Sequence, residues 1–311
     1  MPGLKPEPPI CGECFERGFT GFLARAGLPL ESLDLYLPEI IDALEAGTPP
    51  PLAGAVAWRK LREASGIPDI FGTEKRFFTM SLLASLPDLR EMLGATPRPV
   101  MGALSAATWC NLLDSAQGYS LPDPAVLAGM FQNALAVDER EAFLQALSVS
   151  STLLILGDNA GETVMDRLFL EHSGFTGNVF YMVRPLPVMN DATREDAAMA
   201  GLDHCSRILD SGSDVPSIIP ELLSPEAARV FRACDLVLAK GQGNLEGLWG
   251  ARDPRLFHSF VVKCPVVARA TGLPEGSGVF VSSMRLEDRQ CPYTSTSANR
   301  ATPSTSSLSK G

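Results

Sequence analysis

What the 311-residue chain lacks narrows its class before any motif is read. No run approaches the ~18 consecutive apolar residues of a membrane-spanning helix. Met1–Ile10 carries four prolines where a secretion signal would carry an apolar core. Both absences point to a cytoplasmic protein with no membrane partner. Basic residues are in deficit, 26 Lys and Arg against 36 Asp and Glu for a net charge of −10, which is the wrong sign for gripping a phosphate backbone. Nucleic acid is therefore not an expected partner. Histidine is scarce, with three in the chain and none beside a candidate serine, so a Ser-His-Asp hydrolase is not expected. No repeat of fixed period is present, which removes solenoids and propellers.

Cysteine is neither absent nor organised as in secreted domains. The seven cysteines are odd in number and scattered among apolar neighbours, so most are expected reduced and buried. Cys11 and Cys14 form the single Cys-x-x-Cys, which supplies half of the four ligands of a structural zinc. A zinc site would have to recruit from Cys205, Cys234, Cys264, His204 or His258. A redox pair would lack the strand-to-helix setting of thioredoxin, so packed thiols are the first reading, with a metal or redox role second.

The composition that remains, 45% apolar and 20% charged, is that of a globular protein with a sizeable core. From Phe15 to Val149 apolar residues recur at helical spacing, as in Leu33, Leu37, Ile40, Ile41 and Leu44. Pro49–Pro51, Pro97 and Pro99 punctuate this half, because proline lacks a donor and clashes inside helices. From Thr152 the texture changes to short apolar runs: Leu153–Leu156, Val179–Val183, Leu236–Ala239, Phe260–Val262, Val266–Ala268 and Val279–Val281. Such runs separated by helical segments, here Gly161–His172, Arg194–Gly201 and Gly243–Gly250, predict buried strands of a parallel sheet. The expected fold is α/β, a largely parallel sheet with flanking helices preceded by an all-helical N-terminal subdomain. The boundaries are residues 1–150, 151–285 and a Ser/Thr-rich, disordered tail at 286–311.

Ligands of parallel sheets bind beyond the carboxyl ends of the strands, where Asp158 and Asn159 follow the first run and Asn190 and Asp191 follow the second. Two carboxylates and two amides on one rim are hard oxygen donors suited to a divalent ion such as Mg²⁺ or Mn²⁺. Each pair alone reads as readily as a helix cap or turn. Thr193 is itself an N-cap candidate for the helix carrying Glu195 and Asp196, which leaves Asp191 free. Glu162 suits either a helix dipole or a supporting role at the site. The third run ends at Lys240, and Gly241-Gln-Gly243 opens a helix, an arrangement that offers backbone N–H groups and a cation to a phosphate. It is neither a Walker loop nor a dinucleotide fingerprint, since Glu246 stands where a third glycine would be needed.

Three stretches, Gly157-Asp-Asn-Ala-Gly-Glu-Thr-Val-Met-Asp-Arg167, Val183-Arg-Pro-Leu-Pro-Val-Met-Asn-Asp-Ala-Thr-Arg-Glu-Asp196 and Ala239-Lys-Gly-Gln-Gly-Asn-Leu-Glu246, together resemble the DUF89 family. That family is also called the damage-control phosphatase or protein-glutamate methyltransferase-like family. The resemblance continues into Lys263-Cys-Pro-Val-Val-Ala268 and covers roughly residues 10 to 283. It implies a metal-dependent phosphatase with metal ligands Asp158, Asn159 and Asp191 and with Lys240 on the substrate phosphate. Cys11-Gly-Glu-Cys14 is similar to the N-terminal Cys-x-x-Cys of the mostly prokaryotic branch. At Cys110-Asn-Leu-Leu-Asp114 the family usually has glycine before the asparagine; here Cys110 replaces it while Asn111 and Asp114 remain. Asp69-Ile-Phe-Gly-Thr-Glu-Lys75 is similar to the family's Asp-Pro-Tyr…Lys stretch. Both stretches also read as caps and solvated surface.

The resulting expectation is hydrolysis of a small phosphomonoester metabolite, supported by Mn²⁺, Ni²⁺, Co²⁺ or Mg²⁺. Asp158, Asp191 and Lys240 would be catalytic, and Asn111, Asp114, Glu162, Asn190, Lys240 and Asn244 would contact substrate. The alternatives are an S-adenosylmethionine-dependent carboxyl methyltransferase, loosely imitated by Gly157-Asp-Asn-Ala-Gly, and a non-catalytic metal- or metabolite-binding protein. An Asp-Asn pair where a nucleotide wants bare backbone argues against the first. The sequence leaves oligomeric state open.

Overall fold

Proline sets where many of the helices begin, because its missing N–H costs nothing in a first turn. The computed structural model describes residues 4–112 and 124–288. Its N-terminal half holds α1 (Pro8–Ala26), α2 (Leu37–Glu45), α3 (Pro50–Ser65), α4 (Gly72–Gly94), α5 (Pro99–Trp109) and α6 (Pro124–Gly129). Then come β1 (Val137–Asp138), α7 (Arg140–Val149), β2 (Thr152–Leu156), α8 (Glu162–His172), β3 (Asn178–Val183), α9 (Arg194–Met199) and β4 (Arg207–Asp210). The chain continues through α10 (Pro225–Ala233), β5 (Leu236–Lys240), α11 (Gly241–Gly247), β6 (Leu256–Val261), α12 (Pro265–Thr271), β7 (Gly278–Ser282) and α13 (Ser283–Asp288).

The strands form one sheet in the order β1-β7-β6-β5-β2-β3-β4. All pairings are parallel except β6 with β7. The α/β architecture expected from the sequence is thus the one observed. Helices cover both faces, and β2 shows why its run is continuously apolar: Leu153 and Ile155 enter the core packed by α4, α5, α7 and α8, while Leu154 and Leu156 enter the core beside α10. A third core joins α1, α2 and α3 to α12 and β7. Among the described residues no helix is long and apolar enough to cross a membrane.

The details differ from the sequence reading in five places. Val266–Ala268 lies inside α12, where Pro265 starts the helix and the Cys264 thiol accepts the Val267 N–H at 3.5 Å. The strand expected at Phe260–Val262 begins earlier, at Leu256. β4 is a four-residue edge strand too short to stand out by composition, and the helical stretch before residue 150 also supplies β1. Of the expected tail, residues 286–288 belong to α13. Residues 289–311 lie outside the described residues.

Candidate active site

Two strand ends are tied together by backbone before any side chain is considered. Ala192 N–H donates to the Asp158 carbonyl at 2.7 Å, Ala160 N–H donates to the Asn190 carbonyl at 2.9 Å, and Asn159 bridges Asp191 in antiparallel fashion. Asp158, Asn159, Asn190 and Asp191 therefore share one rim, at the carboxyl ends of β2 and β3. Thr193 and Asp196 form a capping box for α9, so the cap leaves Asp191 free as expected.

Charge concentrates there. Asp158 and Asp191 are 7% and 4% exposed, and Glu162 is buried behind them. Burial, reinforced by the charges of Glu162 and Asp191, lifts the Asp158 carboxyl well above the usual carboxylate range, and burial raises Asp191 against the pull of Arg184. Arg184 Nε donates to Asp191 Oδ2 at 2.7 Å. Asn111 donates its Nδ2 to Asp158 Oδ2 at 2.8 Å and to Glu162 Oε1 at 2.5 Å, and Asn159 Nδ2 donates to Glu162 Oε1 at 2.7 Å. Gly241 has φ 78°, and a Cβ there would stand 1.8 Å from Asp158 Oδ2, so only glycine lets the carboxylate lie against this turn.

The donor set fits a hard divalent cation. Asp158, Asp191 and Asn159 offer two carboxylates and an amide, the acids repel one another, and Asn111 Oδ1 is buried with no hydrogen-bond partner among the described residues. Among those residues no three His, Cys, Asp or Glu side chains make a ligand cluster, and the third donor of this set is an asparagine.

The phosphate grip differs from expectation. Lys240 is 1% exposed, and its Nζ lies 2.6 Å from Asp166 Oδ1 and 3.3 Å from Glu162 Oε2. Burial opposes its charge, yet the two acids more than compensate and hold the ammonium above its ordinary range. As the last strand residue, Lys240 points into the packed face of the sheet toward α8 rather than over the rim. Lys263, two residues beyond β6, borders the cavity instead, and its charge acts on Asp158. The sequence carried a signal for it, a lysine directly after the apolar run Phe260–Val262, to which the sequence reading gave no role.

Asn244 is likewise fully buried: its Nδ2 donates to the carbonyls of Lys240 at 2.7 Å and Gly157 at 3.0 Å, and its Oδ1 accepts from Arg184 Nη2 at 3.0 Å. It latches α11 to the end of β2 and does not border the cavity. Glu162 and Asn111 lie beneath Asp158, whereas Asn190 borders the cavity. Asp114 lies outside the described residues. Lys75 ties α4 to α9, with Nζ 2.6 Å from Asp196 and 2.9 Å from Asp69.

The cavity over the rim measures about 1030 Å³. Phe15, Phe22, Trp58 and Phe71 from the helical half line it, as do Cys11, Cys14, Cys264 and Glu246. Of the residues a Cys-x-x-Cys metal site would recruit, Cys264 alone borders this cavity.

A parallel α/β sheet with a hard-oxygen acidic rim, roofed by helices, defines the class of protein. Residues 36–279 match the damage-control phosphatase ARMT1-like domain family, and the chain belongs to it. A damage-control phosphatase of Pyrococcus horikoshii is 30% identical over 178 residues, 56% of this chain and 62% of the relative, just under two thirds of its length. A damage-control phosphatase of Archaeoglobus fulgidus is 28% identical over 71% of this chain and 78% of its own. An uncharacterized protein of Methanocaldococcus jannaschii is 28% identical over 78% and 83%. The crystal structure of a DUF89 family protein from Pyrococcus horikoshii superposes with TM-score 0.78 at 23% identity, covering 88% of this chain and 97% of that one, which establishes the shared fold.

Proposed function

We propose that this chain is a metal-dependent phosphatase that hydrolyses a small phosphomonoester metabolite. The observation that carries the reading is the pairing of Asp158 and Asn159 with Asp191 on one rim, locked by the 2.7 Å bond from Ala192 N–H to the Asp158 carbonyl. Damage-control phosphatases among the relatives support the reaction class.

Asp158, Asn159 and Asp191 would hold Mn²⁺, Co²⁺, Ni²⁺ or Mg²⁺. Bound there, such an ion supplies Lewis-acid polarisation of a phosphoryl oxygen and lowers the pKa of water. The chain's own residues do the rest. Arg184 orients Asp191, Asn111 orients Asp158, and Lys263 offers its ammonium to the phosphate. Preorganised donors of this kind act most strongly where water is excluded, and aromatic side chains line the cavity wall. The net reaction breaks the P–O bond of the ester, adds the oxygen of water to phosphorus and gives a proton to the departing alcohol.

A screen of phosphate esters with each of the four metals, run beside a methyl-transfer assay, tests the reading. Metal-dependent phosphate release is the expected result; methyl transfer from S-adenosylmethionine without phosphate release would overturn it. Asp191→Ala should strongly weaken Mn²⁺ binding in calorimetry, and an unchanged titration would refute the ligand assignment.

A further inference from the structure

Asp191 is presented by a strained loop. Met189, two residues before it, has φ 48°, and it is the one non-glycine residue with positive φ among those described. A side chain with a Cβ keeps that conformation only where its surroundings over-determine it. The turn closes through Asp191 N–H, which donates to the Val188 carbonyl at 3.1 Å, and Val188 is wholly buried.

The restraint upstream of Met189 comes from the helical half of the molecule. The Pro187 carbonyl accepts two hydrogen bonds from α3, one from Trp58 Nε1 at 3.1 Å and one from Arg62 Nη1 at 2.9 Å. Arg62 is itself aimed by an acid from the loop after β4: its Nη2 donates to Asp214 Oδ2 at 3.3 Å. Arg59 donates to the other oxygen of Asp214 at 2.6 and 2.8 Å. Neither Arg62 nor Asp214 borders the cavity, and the hydrogen bonds that lead from them toward the site pass through the Pro187 carbonyl.

We infer that Arg62, oriented by Asp214, and Trp58 are positioning residues that clamp the Pro187 carbonyl and thereby hold Asp191 beside Asp158 in the geometry the site needs. The clamp stands on these contacts alone; its consequence for a metal rests on the function proposed above. Residues that orient a ligating side chain from behind typically change metal affinity by about 10–100-fold when removed.

The test uses the full-length chain and the variants Arg62→Met, Trp58→Phe and Arg62→Met/Met189→Gly. Hydrogen–deuterium exchange followed by mass spectrometry reads residues 186–192 against residues 162–172 of α8. In Arg62→Met the loop is expected to exchange faster while α8 is unchanged, and Mn²⁺ affinity measured by calorimetry should fall about tenfold. Raising Mn²⁺ to saturation should restore kcat on p-nitrophenyl phosphate with little change in KM. The added glycine should recover Mn²⁺ affinity, because glycine adopts φ 48° without strain and no longer needs the clamp.

Unchanged exchange in the loop would overturn the clamp, as would faster exchange with unaltered Mn²⁺ affinity. Should Arg62→Met exchange faster throughout, Trp58→Phe is read by the same criteria, since it removes the Nε1 donor while keeping an aromatic, though smaller, side chain against Phe22 and Phe71. A wild-type chain that binds no Mn²⁺ would refute the metal reading, and loop exchange alone would then decide the clamp.

Discussion

Lys240 Nζ and Asp166 Oδ1 are 2.6 Å apart, and both side chains are almost wholly excluded from solvent. With Glu162 on the other side of the ammonium at 3.3 Å, the pair forms a charged floor under Asp158. Removing one partner of a buried pair strands the other charge, which typically costs about 3–5 kcal/mol. Lys240→Met should therefore lose stability of that order in urea unfolding, and any loss of turnover will accompany it. A fully stable Lys240→Met with reduced phosphatase activity would return Lys240 to the phosphate.

Lys263 predicts the opposite signature. It is half-buried at the cavity, with no ion pair among the described residues. Lys263→Met should leave the urea midpoint nearly unchanged and lower kcat/KM by about 10²-fold or more, the usual size of one electrostatic contact to a transition state. Wild-type kinetics in this variant would remove the grip.

Gly241→Ala should abolish metal binding rather than weaken it. The added methyl would occupy the place of the Asp158 carboxylate, at 1.8 Å, and the backbone there has φ 78°. Calorimetry with Mn²⁺ checks this, with a circular dichroism spectrum to show that the chain still folds. Retained binding would mean that Asp158 can reach the ion from another rotamer.

Glu246 gives a pH dependence of defined sign. Burial pushes its carboxyl up to about 7 from an ordinary 4.5, and its Oε1 accepts from Gln242 Nε2 at 2.7 Å. Between those values the unfolded chain releases the proton while the folded chain keeps it, so stability falls as pH rises, by up to about 3 kcal/mol. Urea midpoints at pH 5 and pH 8 should differ more for the wild type than for Glu246→Gln. Equal differences would show that Glu246 ionises freely.

Cys11 should behave as a packed thiol. Burial pushes it up to about 11, and Glu246 and Cys264 add repulsion to its thiolate. Roughly one molecule in a thousand then carries the thiolate at pH 8, and alkylation should accelerate about tenfold per pH unit up to about pH 10. Peptide mass spectrometry after iodoacetamide treatment measures this. Rapid labelling at pH 7, or a stoichiometric zinc ion lost on Cys11→Ala, would mark a reactive or ligating thiol.

The sequence alone determined the strand runs at Leu153–Leu156, Val179–Val183 and Leu236–Ala239 and the polar residues that follow the first two. A buried parallel strand is continuously apolar and its ligands come from the residues just beyond its end, so both signals are local. Tertiary structure alone decided which way each side chain turns. Lys240 and Lys263 are both lysines at the end of an apolar stretch, but one lies within the strand and is directed into a packed face, whereas the other lies beyond the strand and meets the cavity. Asn244 and Glu162 turned inward for the same reason, since the helices that bear them are covered on the side facing the sheet. Val266–Ala268 became helix because Pro265 and Cys264 supply a start that outweighs β-branched preference once the segment packs against α1. The clamp on Pro187 could not be read at all, because Arg62 and Pro187 are 125 residues apart and only folding brings them together.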